Sequence, residues 1–514
     1  MEPLLSLRAI EIASNAKIYL ETYFDRRLTS PSPRSLRRRA LERLIKELSL
    51  GSREAARCWD DWRAKETEYL RRCRTKLQIR DFDVLKIIGK GAFGCVKLAR
   101  MENGKGDVYA VKIIQKGVQL KNGQEAHLRA ERDLLVAGEG SRWIVPLVAS
   151  FQDDENLYLV MEYMIGGDFL GFLIDRGVLS EEVTRFYVAE MVLCIEEVHK
   201  LCFIHRDVKP DNFCITASGH LKICDFGLAF SGHWAHDAAY FEQQRWGLIK
   251  KTQVSVGGDT IDKRTGNTLA RVLSTTDSTI PHGERVLSWR NKSGQRRMAR
   301  SIVGTYQYMA PEIAREEAYD ARCDWWSLGV IIYECLFGYT PFHSENREES
   351  KIKVLDWSNY LDLTSRVSSQ MKSLICSLIC EKEARLGSTA YRINDASDRL
   401  PSYVYPNDAE EIRSHPFFAS INWRTLHMQM PPFIPDGLFD ETDTKYFTDS
   451  FNSRSGSGES SYESECSQIR AKDMLLRDKE SGDEILEVRK RGAFLGYTYV
   501  RPGNVGSGKG MFLY

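Results

Sequence analysis

Two short stretches constrain this chain more than any other part of it: His205-Arg206-Asp207-Val208-Lys209-Pro210-Asp211-Asn212 and, a short loop later, Asp225-Phe226-Gly227. Asp207 can accept or orient the proton of a hydroxyl nucleophile, and Lys209 carries a positive charge beside it. Asn212 and Asp225 supply hard oxygen ligands of the kind magnesium takes. Longer or apolar side chains would not serve at these positions. Either tripeptide core alone arises by chance in many chains, so the weight rests on what accompanies them.

What accompanies them is an ordered set. Upstream lie Gly89-Lys90-Gly91-Ala92-Phe93-Gly94-Cys95-Val96, then Tyr109-Ala110-Val111-Lys112, then Glu131 in an Arg- and Glu-rich run; downstream lies Ala310-Pro311-Glu312. In this order and rough spacing the set resembles the eukaryotic protein kinase fold over about residues 82 to 418. The resemblance implies an α+β, two-lobed architecture: a small β-rich lobe with one key helix and a large, mostly α lobe. It also implies phosphoryl transfer from ATP with Mg2+, where catalysis is mainly positioning and charge neutralisation.

The glycines at 89, 91 and 94 let the backbone close over phosphates, with Lys90 and Ala92 between them and Phe93 capping the loop. A GxGxxG run also opens dinucleotide-binding units. Here a strand follows from Cys95 to Arg100 where such a unit needs a helix, which excludes that reading. Val96 and Ala110 belong to the expected nucleotide pocket. Lys112 is expected to hold the inner phosphates and to pair with Glu131. The apolar run Asn156–Tyr163 reads as a strand ending at the linker between lobes. Met161 then lines the back of the adenine pocket, and backbone groups of Glu162 and Met164 meet the base. Asp168 falls where the ribose lies and also suits a helix N-cap. Glu312 with Arg385, and Asp324 beneath the catalytic loop, are expected to carry the fold.

Three flanking segments need separate readings. Residues 1–80 hold 19 Lys and Arg against 11 Asp and Glu and carry apolar residues at helical spacing, including Ile10, Ile12, Ala16, Tyr19, Leu20, Tyr23 and Phe24. They read as amphipathic helices that form a solvated face or a docking surface for an acidic partner. Past Gly227, residues 228–300 form a long insertion rich in Ser, Thr, Gly and basic residues. It is expected to be largely disordered, with its basic end placed to retard the active site. Ser301 follows at once, and a phosphate there could pair with Arg206 and His127. Residues 419–514 form a tail with a Ser-, Gly- and Glu-rich stretch and three aromatics around a threonine at 494–499. Gly503–Lys509 imitates a phosphate-binding loop, but Gly510 stands where Ser or Thr is needed.

With these flanks the chain is similar to AGC-type Ser/Thr kinases of the nuclear Dbf2-related group, which includes fungal kinases of the Cot and Orb type. The resemblance rests on Lys65-Glu66-Thr67-Glu68-Tyr69-Leu70, the insertion, Trp325-Trp326 and the aromatic tail. It implies Ser301, Thr498 and Thr67 as regulatory phosphosites, an upstream kinase for Thr498, and a Mob-type coactivator on the N-terminal helices. It further implies docking of Phe494, Tyr497 and Tyr499 on the small lobe. Asp168, Asp211 and Glu334 stand where such kinases read basic residues ahead of the target Ser or Thr. The chain departs from the group at Tyr306 and Gln307, where Pro and an acidic residue are usual. A role in growth, polarity or cell-division signalling is implied by family alone.

Composition bounds what remains. The twelve cysteines form no CxxC pair, which suits free thiols in a reducing compartment. No stretch reads as a signal peptide or a bilayer span, so a cytoplasmic protein without membrane insertion is expected, with nucleus and cell cortex as further compartments. A pseudokinase scaffold predicts a broken motif, and none is broken. A nucleic-acid binder needs stacking aromatics interleaved along an extended groove, or a zinc or helix-turn-helix pattern, and the basic segment shows neither arrangement.

Overall fold

The β-branched and apolar alternation of residues 82–115 builds the wall on which the cleft rests. In the computed structural model, which describes residues 6–29, 31–91, 94–101, 107–264, 305–363, 367–395, 403–437, 440–447 and 469–502, this stretch forms β1 (Phe82–Gly91), β2 (Gly94–Met101) and β3 (Val108–Gln115). With β4 (Leu147–Gln152), β5 (Asn156–Glu162) and β8 (Tyr499–Val500) they make an antiparallel sheet in the order β1-β2-β3-β5-β4-β8. Register decides which side chains meet. Val96 lies opposite Lys112, and Ala110 opposite Met161. Since alternate residues share a face, all four line one side of the sheet. Short helix α4 (Lys116–Lys121) leads into α5 (Glu125–Ala137), which carries Glu131.

The large lobe packs around α7 (Glu181–Lys200). Ser180 caps that helix by accepting from the Val183 N–H, and most of its residues are buried. α6 (Phe169–Arg176) begins at Asp168, whose Oδ1 accepts from the Gly171 N–H at 2.8 Å. The hairpin β6 (Phe213–Ile215) and β7 (Leu221–Ile223) follows the catalytic stretch. Among the described residues no helix is long and apolar enough to cross a membrane.

Before the sheet come α1 (Leu7–Thr29), α2 (Pro33–Glu47) and α3 (Ser52–Arg74). α2 starts on a Ser32 cap with Pro33 in its first turn. It is clamped to α3 by the Arg37–Glu66 fork, at 2.7 and 3.1 Å. The burial of α1 differs from the expectation. Its inward stripe is Leu7, Ile10, Glu11, Ser14, Asn15, Ile18 and Thr22, whereas Ile12, Leu20, Tyr23 and Phe24 are exposed. Glu11 faces inward because Arg245 and Arg489, from elsewhere in the chain, meet it, and Thr22 donates to the Ile18 carbonyl of its own helix at 2.7 Å.

The insertion supplies one of those partners, and here the expectation of disorder is corrected for its first part. Ala238–Thr252 forms α8, and a short α9 (Thr260–Arg264) follows. Tyr240, Phe241, Trp246 and Ile249 are buried against α1, α5 and the tail. Averaged composition hides this local run of aromatic and apolar residues. Residues 265–300, with the basic end, lie outside the described residues. Further on, α10 (Arg322–Phe337) forms the floor of the large lobe with Trp325 and Trp326 fully buried, and α11 (Gly482–Gly492) packs on α1. Arg385 forks onto Glu312 at 2.6 and 3.1 Å, as expected for that pair.

At the junction of these flanks lies a buried charge network. Arg245 of α8 meets Glu11 of α1 at 3.0 Å and Glu125 of α5 at 2.6 Å. Arg489 of α11 meets Glu11 at 3.0 Å and Asp473 at 2.6 Å. Removing one partner leaves buried charge uncompensated. Arg245→Met is therefore expected to destabilise the protein by about 3–5 kcal/mol, read by chemical denaturation. The triple change Arg245→Met, Glu11→Gln and Glu125→Gln should recover part of that loss.

Candidate active site

The catalytic stretch is shaped from below. Asp324, at the start of α10, accepts from the His205 N–H at 2.8 Å and the Arg206 N–H at 2.9 Å. It thereby holds Arg206 at φ 67°, a conformation that side-chain-bearing residues seldom adopt. Asp225 is also left-handed, at φ 55°. His205 Nε2 contacts the Cys224 carbonyl at 3.1 Å and so joins the catalytic loop to the residue preceding Asp225. Asp324 is steadied in turn by His199, which lies fully buried between Asp324 at 3.0 Å and Asp408 at 3.1 Å. Burial would lower the His199 imidazolium, but the two carboxylates outweigh it and raise it to about 10.

Above this floor the predicted residues converge. Lys112 Nζ is 2.6 Å from Glu131 Oε1 and 2.8 Å from Asp225 Oδ1. Burial works against its charge, yet Asp225 and Glu131 hold the ammonium well above the usual lysine range. Asp207 is clamped at both oxygens. Oδ1 accepts from the Thr305 N–H and hydroxyl, each at 3.0 Å, and Oδ2 lies 3.0 Å from Lys209 Nζ. Asn212 donates its amide N–H to the Asp207 carbonyl at 2.7 Å, which leaves its Oδ1 as the possible metal ligand.

Whether the site suits magnesium turns on that donor set. Asn212 Oδ1 and the Asp225 carboxylate, 41% exposed toward the cleft, are two hard oxygens. Magnesium bound with substrate phosphates and water needs no more from the protein. Among the described residues no cluster of three or more His, Cys, Asp or Glu forms a metal cage. The residues present fit the ion.

The nucleotide side is equally organised. A Cβ on Gly94 would lie 2.0 Å from the Ile113 carbonyl oxygen, so only glycine fits where the loop meets β3. Ala92 and Phe93 lie outside the described residues; Gly89, Lys90 and Gly91 end β1. The Glu162 N–H donates to the Pro146 carbonyl at 3.1 Å, so a base can meet only the Glu162 carbonyl. Met164 is buried, and its carbonyl accepts from the Gly167 N–H at 3.1 Å. Asp168 caps α6 beside the cleft. Burial pushes the carboxyls of Asp168 and Glu334 up, and the charge of Asp211 adds to both shifts, so the three acids form one negative cluster. Tyr308 donates to Glu334 at 2.6 Å.

Three features escaped the sequence reading. Thr305 carries no signal of its own in the sequence, and its contact with Asp207 needs the loop to fold back. The tail crosses the linker between lobes: Phe447 stacks on Tyr163 with ring centroids 5.5 Å apart, and Tyr163 donates to the Asp443 carbonyl at 2.6 Å. The aromatic run before Phe447 was the available signal. Tyr306 and Gln307, which depart from the usual loop residues, are pinned by other means. Gln307 meets His343 at 3.0 Å, and Arg347 lies over the Tyr306 ring at 4.3 Å.

Of the predicted regulatory residues, Ser301 lies outside the described residues, and Thr498 and Thr67 are exposed. The tail motif docks as a strand and as an anchor together. Phe494 and Tyr497 are buried, and Tyr499 joins β8. Ser150 donates to the Tyr497 carbonyl at 2.7 Å, and Gln152 to the Phe494 carbonyl at 2.8 Å.

These parts, a lysine shared by two carboxylates and an aspartate clamped beside a second lysine, define a protein kinase cleft. A family model described as the protein kinase domain matches residues 82–244 and 287–417. The chain is 44% identical to serine/threonine-protein kinase cbk1 of Emericella nidulans, over 86% of this chain and 57% of that protein. It is 38% identical to CBK1 of Debaryomyces hansenii, over 95% and 65%, and 39% identical to CBK1 of Pneumocystis carinii, over 85% and 80%. The chain belongs to the protein kinase family, within its AGC-type, nuclear Dbf2-related group. It spans about three fifths of the length of the first two of these relatives.

Because the folded value of His199 stands above its ordinary 6.5, its contribution to stability is full below about pH 6.5 and is lost as pH rises through about 10. The melting-temperature gap between the intact protein and His199→Gln should therefore be widest near pH 6 and should narrow toward pH 10. A gap independent of pH would contradict the assignment.

Proposed function

We propose that this chain is an ATP- and magnesium-dependent protein serine/threonine kinase acting on Ser or Thr preceded by basic residues. The observation that carries the reading is Lys112 lying within 2.8 Å of both Glu131 and Asp225, which sets the phosphate-holding lysine and the metal ligand in one geometry. Lys112 holds the inner phosphates, Met161, Ala110 and Val96 border the base, and Asp168 meets the ribose. Asn212 and Asp225 would hold magnesium, which neutralises phosphate charge when bound. The substrate hydroxyl reaches Asp207 Oδ1, taking over the contact made by the Thr305 hydroxyl, and Asp207 orients it and receives its proton. Lys209, whose ammonium Asp207 stabilises against the opposing effect of burial, balances charge on the transferring group. Arginines ahead of the target meet Asp168, Asp211 and Glu334.

Regulation is part of the same proposal. A phosphate on Ser301 would be drawn to the positive surroundings of His127. Burial first, then the charges of Arg206, Lys472 and His236, push that imidazole down to about 4. Thr498 is exposed beside a docked anchor, which suits modification by an upstream kinase, and Thr67 is exposed on α3. A Mob-type coactivator is supported by the exposed Ile12, Leu20, Tyr23 and Phe24 of α1 next to basic α2.

The test is transfer of phosphate from magnesium ATP to an arginine-directed serine peptide, with and without a Mob-type protein. Asp207→Ala should lower kcat by about 10²–10⁴-fold. Glu334→Gln should raise KM for the arginine peptide by about tenfold with little change in kcat. ATP binding without turnover in any state would favour a scaffold instead.

A further inference from the structure

Two thiols in the cleft take no part in the chemistry above. Cys214 lies in β6, two residues after Asn212, and Cys224 follows β7 and directly precedes Asp225. The hairpin pairs Cys214 with Lys222. Cys224 stands two residues further on, so both side chains share one face. Their Sγ atoms are 3.2 Å apart, within about 1–1.5 Å of the ~2.05 Å of a disulfide bond. Both residues are free cysteines and only partly buried.

The backbone around the pair is fixed. The Cys224 N–H donates to the Asn212 carbonyl at 2.9 Å, and the Cys224 carbonyl meets His205. Cys214 forms a β-bridge with Asp168. The dithiol thus sits between the carboxylate assigned to the ribose and the one assigned to the metal. Both sulfurs of the pair are reduced in this structure, and a dithiol held this close needs only an oxidant and little movement to close into a disulfide.

We propose that Cys214 and Cys224 form a modification site, a dithiol that a peroxide oxidises to a disulfide across the floor of the cleft and that bound nucleotide shields. One sulfur, as thiolate, attacks a peroxide oxygen; the O–O bond breaks, hydroxide leaves as water, and a sulfenic acid forms. The second thiol loses its proton and attacks the sulfenic sulfur; the S–O bond breaks, the S–S bond forms, and a second water leaves. The dithiol gives up two electrons and two protons, and the peroxide takes them up. The shielding rests on the nucleotide reading, whereas the disulfide does not.

The experiment exposes the full chain to hydrogen peroxide, blocks remaining thiols by alkylation, and identifies peptides by mass after digestion without reductant. A peptide linking Cys214 to Cys224, lost on reduction and absent from Cys214→Ala and Cys224→Ala, is expected. Recovery of both cysteines only as separate alkylated or sulfinic forms would overturn the proposal. Saturating magnesium ATP, with occupancy measured by calorimetry, should slow the linkage about tenfold through loss of access. Equal rates at confirmed occupancy would overturn the shielding. Failure of ATP to bind in the calorimeter would instead count against the kinase reading and leave the linkage assay to judge the thiol pair.

Discussion

The ion pair between Lys112 and Glu131 is the contact on which the arrangement of the cleft depends. A buried ion pair is weak as a source of stability, because desolvation of two charges consumes most of the Coulombic gain. What it demands is position. Lys112 is fixed by the sheet, so Glu131 meets it only if α5 lies at the right depth and rotation. The same lysine contacts Asp225, and a shift of α5 would therefore reach the metal-binding side as well.

The apolar side of α5, with Leu128, Leu134 and Leu135, packs in the main core, and its polar side is gripped by elements from outside the kinase core. Glu125 in its first turn is bound by Arg245 of the insertion, and Asp133 near its end contacts His236 of the insertion and Arg26 of α1. Arg129 donates to the Ala493 carbonyl, and Arg132 to the Gly496 carbonyl at 3.1 Å, both in the tail. Ile18 of α1 packs with Ala126 and Phe241. Three separate stretches of sequence thus form the walls around one helix. Interdigitated walls of this kind shift between discrete packings and do not deform smoothly. A charge added to the insertion or the tail would act on Lys112 through α5 with no contact at the cleft.

The sequence made the reactive residues legible because their roles impose residue type and order. Asp207, Asn212, Asp225 and Lys112 fall where their spacing predicts, and register alone brings Val96, Ala110 and Met161 beside Lys112. Less local features were hidden for physical reasons. The inward stripe of α1 contains Glu11, Ser14 and Asn15, so hydrophobic patterning pointed to the opposite face; Glu11 is buried because two distant arginines neutralise it. α8 was masked by the Ser- and Gly-rich composition around it. Thr305 and His199 act through contacts across long sequence separations, which spacing does not encode. The tail aromatics left strand and anchor open as alternatives, and the structure uses both, burying Phe494 and Tyr497 while Tyr499 extends the sheet.

The central claim is that α5 owes its placement to these outer walls. The direct measurement is backbone hydrogen–deuterium exchange over Glu125–Ala137, comparing the intact chain with Phe494→Ala/Tyr497→Ala, which removes the anchor of the tail. The account predicts at least about tenfold faster exchange across α5 in the variant, with the large-lobe helix Glu181–Lys200 unchanged. Equal protection of α5 in both proteins would mean that the kinase core holds Glu131 in place by itself, and would contradict the account.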